Sequence, residues 1–230
     1  MLVYGDGRTL GSVGGGELES RVVAEARQVL VDFTPRLLSY SMSAPERGDP
    51  GVCGGQVEVF LEPIHPQPQL VVIGAGHVGR AVVHLASWLG FRVVVSDDRS
   101  EFANPEALPG ADQYFPVPMA ELTSHLDITP WSYIILTTRG VDIDVPGLPA
   151  LLETPAAFIG VIGSKRRWAT TRQKLLEAGI PAEKLDRVRS PVGLELNAET
   201  PEEIAVSILA EIIQLRRSKT ATEELKGSRS

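Results

Sequence analysis

The stretch that most constrains what this chain can fold into runs from Leu70 to Arg99, LVVIGAGHVGRAVVHLASWLGFRVVVSDDR. Leu70, Val71, Val72 and Ile73 form a short unbroken apolar run, the pattern of a strand buried on both faces of a parallel sheet. Gly74, Gly76 and Gly79 follow in the spacing G-x-G-x-x-G, which suits a tight turn, close approach of a pyrophosphate to the backbone, and close packing of the next helix. Val78, Val82, Val83, Leu85, Ala86 and Leu89 then recur at helical spacing, and Gly90 stands where a left-handed cap would end that helix. A second apolar run, Phe91 to Val95, delivers Asp97 and Asp98 about twenty residues beyond the glycines, where a carboxylate can take the ribose hydroxyls of an adenine nucleotide. The order strand, glycines, helix, strand, acid predicts a Rossmann-type unit. Whether the glycines hold a dinucleotide or serve only the turn and helix packing stays open on these residues alone.

The rest of the composition narrows the class. A net charge of −7 over 230 residues argues against nucleic acid as the main partner, because phosphate backbones call for a basic face. The apolar runs fall far short of the ~20 residues that span a bilayer, and the N-terminus MLVYGDGRTL lacks a signal-peptide pattern, so the expectation is a cytoplasmic protein with no membrane role. The lone Cys53 rules out an intrachain disulfide and a Cys-rich zinc site; it is either a small buried residue or a functional thiol.

In chain order, residues 1–63 predict a small α/β module. Gly5-Asp6-Gly7 is a hairpin signal, an amphipathic helix starts after Gly14-Gly15-Gly16, and strands are expected over Arg36–Met42 and Gln56–Leu61. The proline-rich residues 64–69 read as a linker. Residues 70–217 form the expected Rossmann-type domain, with further strands near Gln113–Val117, Tyr133–Thr137 and Ala157–Ile162, a helix over Arg166–Ala178, and a last helix opened by Thr200-Pro201-Glu202-Glu203. Residues 218–230 read as a disordered tail. The fold class expected is α/β: a small N-terminal module followed by a parallel-sheet domain.

Several positions could carry chemistry. Gly14, Gly15 and Gly16 before a helix present backbone N–H groups suited to an anion, or they are a plain helix start whose acidic residues Glu17 and Glu19 already complement the dipole. Gly163, Ser164, Lys165, Arg166 and Arg167 follow an apolar strand and open a helix, which places cations at the carboxyl edge of the sheet, either on a ligand phosphate or in solvent. His77 lies within the glycine loop, where it could donate to a phosphate or point outward. No Tyr-x-x-x-Lys pair or His/Asp relay follows Val117, so no catalytic residue is assigned and an NAD(P)-dependent oxidoreductase remains the alternative reading.

Five further stretches, VGGGELE, VCGGQVEVFLEP, IGVIGSKRR, SPVGLEL and TPEEIAVSILAEI, surround GAGHVG in an order that closely resembles the XdhC/CoxI family. That family comprises accessory proteins of molybdenum hydroxylases such as xanthine dehydrogenase and carbon monoxide dehydrogenase. The resemblance covers roughly residues 1–217 and implies a maturation chaperone that binds molybdenum cofactor (molybdopterin), assists its sulfuration, and inserts it into a client hydroxylase. It further implies a cysteine desulfurase as sulfur donor and a homo-oligomeric assembly, with NAD(P) or another adenine nucleotide as a second candidate ligand of the glycine loop. Within the Cys-Gly-Gly motif, Cys53 and Gly54 become cofactor contacts, with Cys53 as the soft ligand of a molybdenum–sulfur centre. Two features differ from the family pattern: the family usually starts some tens of residues earlier, so the N-terminal module reads as truncated, and Glu17 stands where many members carry a cysteine.

Overall fold

A computed structural model describes residues 1–42 and 54–227. Cys53 and the loop before it therefore lie outside the described residues. The chain divides into two compact units, Met1–His65 together with the chain end from Arg217, and Pro66–Arg216.

In the first unit, β1 (Leu2–Val3) and β2 (Thr9–Leu10) pair antiparallel across the Asp6-Gly7 turn. Helix α1 (Gly16–Asp32) buries Leu18, Val22, Ala26 and Val29, the apolar stripe expected of a helix with one covered face. Strands β3 (Arg36–Ser41) and β4 (Gln56–Leu61) pair antiparallel with Arg36 opposite Leu61 and Ser41 opposite Gln56. Exposed and half-buried residues alternate along both strands, so one face of this ribbon is partly covered.

The second unit is a parallel six-stranded sheet built from β5 (Gln69–Ile73), β6 (Arg92–Ser96), β7 (Gln113–Phe115), β8 (Ser132–Leu136), β9 (Phe158–Val161) and β10 (Val188–Arg189). Their spatial order is β10-β9-β8-β5-β6-β7, the 3-2-1-4-5-6 order of a doubly wound Rossmann sheet when counted from β5. Every residue of β5 and β8 is buried, as continuous apolar runs at the centre of a parallel sheet require. Side chains alternate between two cores. Leu70, Val72, Val93, Val95 and Ile135 pack with Val82, Val83 and Ala86 of α2 (His77–Trp88) and with Ala205, Ile208 and Ile212 of the last helix. Val71, Ile73, Val94, Ile134 and Leu136 pack on the other side, with Leu148, Leu151 and Leu152 of α3 (Val141–Leu152) and Leu175 of α4 (Lys165–Glu177). A 3₁₀ helix, Met119–Ser124, adds Met119 and Leu122 to that second core.

Some elements differ from the expectation. α2 stops at Trp88 and Gly90, at φ 77°, hands the chain to Phe91, whose N–H donates to the Ala86 carbonyl; β6 then starts at Arg92. The sequence pattern does not localise α3, because Pro146 and Pro149 lie inside it and each removes a backbone donor. β10, two residues long beside β9, has no periodic signal of its own. A short helix α5 (Ala182–Leu185) precedes it, and α6 (Pro201–Gly227) continues beyond the Arg217 at which the apolar pattern predicts its end.

Candidate functional site

The site is built where the strand order reverses. β5 and β8 are neighbours whose following connections leave in opposite directions, so their carboxyl ends open a crevice, the place where doubly wound sheets bind ligands. A cleft of about 240 Å³ lies there, lined by the loops after β5, β6, β7 and β8. Among its lining residues are Gly74, Gly76, Asp97, Arg99, Met119 and Arg139.

The three fingerprint glycines have distinct tasks. A Cβ on Gly74, which sits at φ +105°, would come 2.7 Å from the Thr137 carbonyl oxygen, so the loops after β5 and β8 touch only because no side chain stands between them. A Cβ on Gly79 would lie 2.0 Å from the Gly74 carbonyl oxygen, which glycine avoids, letting α2 pack against the turn. The Thr137 hydroxyl tightens the same junction by donating to the Gly74 carbonyl. A Cβ on Gly76, in contrast, meets no atom within 4 Å, although the residue lines the cleft. Gly74 and Gly79 thus answer to packing, while Gly76 leaves the backbone open to an incoming group.

The N-terminus of α2 is also electrostatically available. Its first turn carries no acidic residue and its cap is Gly76, which has no side-chain oxygen to offer the first N–H groups. Each of the other long helices has an acidic residue or a side-chain acceptor at its start. At α1, one Glu19 carboxylate oxygen accepts from the Ser12 hydroxyl and from the N–H groups of Val13 and Gly15, both at 3.2 Å. The Ser12 hydroxyl and the Val13 N–H hold that carboxyl below its ordinary value. α3 carries Asp142 and Asp144 in its first turn, α4 is capped by the Ser164 hydroxyl, and α6 by the Thr200 hydroxyl with Glu203 reaching back.

Asp97 occupies the expected place after β6 but is already engaged within the chain. Its side chain is 3% exposed. One oxygen accepts from the Ala75 N–H at 2.8 Å and from Arg99 Nη2 at 2.9 Å. The other accepts from the Arg99 N–H at 3.1 Å and from Arg99 Nε at 2.8 Å. Burial pushes its pKa up, yet the Arg99 guanidinium and the two backbone N–H groups outweigh burial and hold the carboxyl below its ordinary value. Asp97 therefore braces the glycine loop. Two exposed acids stand at the rim: Asp142, at the start of α3, and Asp98, both of whose oxygens lie 2.8 Å from Arg139 Nη2, across from the loop after β8.

Behind the cleft, a buried network fixes the loop after β8. The Thr138 hydroxyl donates to Asp144, which is fully buried, and Arg167 donates to Asp144 through Nη2 at 2.6 Å and Nε at 3.2 Å. Arg167 Nη1 also reaches the Thr138 carbonyl at 3.1 Å. Of the cations at the start of α4, Arg167 is thus structural, while Lys165 and Arg166 are exposed and form no ion pair among the described residues.

The remaining expected site residues are distributed elsewhere. Gly163, Ser164, Lys165 and Arg166 lie at the carboxyl end of β9 and do not line the cleft. His77 turns away from it, into a separate groove shared with Arg80, His84 and Glu202 between α2 and α6. Gly14, Gly15, Gly16 and Gly54 belong to the first unit, where the Gly54 N–H donates to the Met42 carbonyl at 2.9 Å. Cys53 lies outside the described residues, among which no group of three or more His, Cys, Asp or Glu side chains could hold a metal ion. No helix of the described residues is long and apolar enough to cross a membrane. Met119 and Pro118, which line the cleft from the connection after β7, carry no sequence signal that could have found them.

Comparison with known proteins agrees with this architecture. Residues 70–212 match the family described as the XdhC Rossmann domain, and residues 1–41 the XdhC and CoxI family. The uncharacterized protein YqeB of Escherichia coli (strain K12) is 37% identical over 95% of this chain and 40% of its own length. A probable xanthine dehydrogenase component of Bacillus subtilis (strain 168) is 33% identical over 69% of this chain and 46% of its own length. The chain thus spans less than half the length of these two curated relatives. The molybdenum cofactor insertion chaperone PaoD of Escherichia coli (strain K12) is 27% identical over 94% of this chain and 77% of its own length. A crystal structure described as a xanthine dehydrogenase from Bacillus halodurans superposes with a TM-score of 0.58 at 25% identity, covering 94% of this chain and 85% of that one. With its Rossmann sheet, its glycine fingerprint and most of its length matched, the chain belongs to the XdhC/CoxI family.

Proposed function

We propose that this protein is an accessory factor that binds molybdenum cofactor and assists its sulfuration or its insertion into a molybdenum hydroxylase of the xanthine dehydrogenase or carbon monoxide dehydrogenase type. Family membership supports the reading, as does alignment along nearly the whole chain with a relative described as a molybdenum cofactor insertion chaperone. The observation that carries it is the cleft at the β5–β8 switch point, where Gly76 leaves the backbone open and the first turn of α2 contains no acidic residue of its own. An anionic organic ligand fits such a place, since uncommitted N–H groups and the positive end of a helix favour a phosphate.

The cofactor is cargo here, a pterin that carries a phosphate and a molybdenum–sulfur centre. The cleft's donors suit the phosphate and pterin. Molybdenum itself calls for a soft ligand, and this reading assigns that part to Cys53. The partners implied are a hydroxylase client and a sulfur-donating cysteine desulfurase, meeting in the cytoplasm, with the chain acting as a homo-oligomer. A second reading, an adenine-nucleotide site serving NAD(P), is favoured by the 3-2-1-4-5-6 strand order and the glycine spacing.

The test is transfer. The chain, purified from a molybdopterin-producing host, is mixed with an apo-hydroxylase prepared without cofactor. Appearance of hydroxylase activity in proportion to added chain supports the proposal; activity no higher than with free cofactor released from denatured carrier contradicts it.

A further inference from the structure

Three carboxylates, Asp97, Asp98 and Asp142, and two guanidinium groups, Arg99 and Arg139, line the cleft, and their roles are unequal. The Arg99 guanidinium is held in its plane by two near-parallel bonds to Asp97, Nε at 2.8 Å and Nη2 at 2.9 Å. Phe102 covers one of its faces, with the Arg99 Cζ 3.9 Å from the ring centroid. Arg99 is still 27% exposed and lines the cleft, whereas Phe102 does not. The result is a flat cation, fixed in orientation, whose remaining surface faces the ligand space. Beside it, Asp98 and Arg139 are 44% and 50% exposed, so their ion pair is of the solvated kind that contributes little and can be exchanged for ligand contacts at small cost.

We propose that Arg99, rather than Asp97, meets the ligand ring: its guanidinium is a stacking platform for a flat heterobicycle, Asp98 accepts from that ligand's hydroxyl or ring N–H donors, and Arg139, released from Asp98, pairs with its phosphate. The inference rests on the anionic-ligand reading above and names the ligand class more closely, a fused two-ring heterocycle joined to a phosphate. Adenine nucleotides and pterin phosphates share that chemistry. A guanidinium backed by one aromatic ring offers its other face to a second, and the fork held by Asp97 costs the platform no ordering when the ring arrives. The cleft volume of about 240 Å³ sits below the ~300–1,000 Å³ of pockets that enclose whole drug-sized ligands, so it suits one ring system with the remainder of the ligand at the rim. Asp97 has no free oxygen for a hydroxyl and Asp142 lies 3.8 Å from Lys174 Nζ, which leaves Asp98, adjacent to Arg99 in the chain, as the acceptor beside the platform.

The test uses the full chain and three probes, AMP, adenosine and neopterin monophosphate, titrated by calorimetry. Arg99→Lys keeps a cation beside Asp97 and loses the plane; Asp98→Asn removes the exposed carboxylate without touching the core. Each is expected to weaken binding of the preferred phosphate probe about tenfold or more, with an unchanged far-UV spectrum, the scale of one lost stacking or charge-assisted contact. Arg139→Gln is expected to weaken AMP or neopterin monophosphate and leave adenosine unchanged. Tighter wild-type binding of AMP than of neopterin monophosphate identifies a nucleotide source, and the reverse order a pterin source; either supports the platform. If the wild type binds a phosphate probe and Gly76→Trp abolishes that binding while Arg99→Lys and Asp98→Asn bind as wild type, the ring lies elsewhere in the cleft and this inference fails alone. If the wild type binds no probe, the anionic-ligand reading of the cleft fails and this inference with it.

Discussion

Replacing Asp97 by asparagine keeps the shape of the side chain and removes its charge, which makes it a clean probe of the brace under the glycine loop. Each Asp97 oxygen accepts two N–H bonds, one oxygen from Ala75 and Arg99 Nη2, the other from the Arg99 N–H and Nε. Whichever way the amide turns, its NH₂ faces two donors, so two bonds are lost and the other two lose charge assistance. Charge-assisted bonds contribute about 1.5–3 kcal/mol and neutral ones about 0.5–1.5 kcal/mol. Arg99 is 27% exposed and regains some water, which reduces the net loss to about 3 kcal/mol. At about 2–4 °C per kcal/mol for a chain of this size, Tm falls by about 6–12 °C. The pH dependence has a definite sign. The folded-state pKa of Asp97 is lowered, so its stabilisation is complete above the unfolded value near ~4 and is lost as pH falls through the folded value. The gap between wild type and Asp97→Asn, followed by circular dichroism during urea unfolding, should stay constant from about pH 7 to about pH 5 and close on further acidification. A gap below about 1 kcal/mol at neutral pH, or one that does not narrow as the pH falls below the unfolded value near ~4, would refute the assignment of Asp97 as a charged brace.

Gly79→Ala places a Cβ 2.0 Å from the Gly74 carbonyl and 2.9 Å from the Thr137 hydroxyl, so thermal unfolding should show a loss of about 3 kcal/mol or more. Gly76→Ala, at φ −72° with no neighbour within 4 Å, should leave Tm within about 2 °C of wild type. The double replacement Lys165→Ala/Arg166→Ala removes exposed cations from the start of α4, where they oppose the helix dipole; Tm should not fall. Because the two cations are solvated and do not line the cleft, their loss should change molybdopterin retention by less than about fivefold, read from pterin content after gel filtration. Cys53→Ser should unfold at the wild-type temperature yet carry less molybdenum per pterin, measured by elemental analysis; an unchanged ratio would remove the thiol from the metal's ligands.

The parallel sheet and the packing tasks of the fingerprint glycines were legible because both follow from local pattern. The apolar runs that became β5, β6 and β8 bury as continuous segments only in a parallel sheet covered on both faces, and the glycine spacing places the turn at the edge of the first of them. What was not legible is tertiary. Sequence alone places Asp97 at the end of β6, but not the Ala75 N–H and Arg99 fork that consume both its oxygens. It places three cations at the start of α4, but Arg167 is drawn onto the buried Asp144 while Lys165 and Arg166 stay in solvent. His77 lies within the glycine motif, yet the first turn of α2 carries it toward α6 and away from the cleft. The α3 prolines hid a helix whose packing supplies the cleft floor through Ile143, Pro146 and Gly147.

The most direct measurement of the central claim is the pterin content of the full chain purified from a molybdopterin-producing host. The protein is denatured and oxidised, and the released fluorescent pterin is quantified per chain. Close to one pterin per chain, falling sharply when Gly76→Trp fills the open side of the glycine loop, is the expected result. Pterin at the level of an unrelated protein purified from the same host, or full pterin content in Gly76→Trp, would contradict the account.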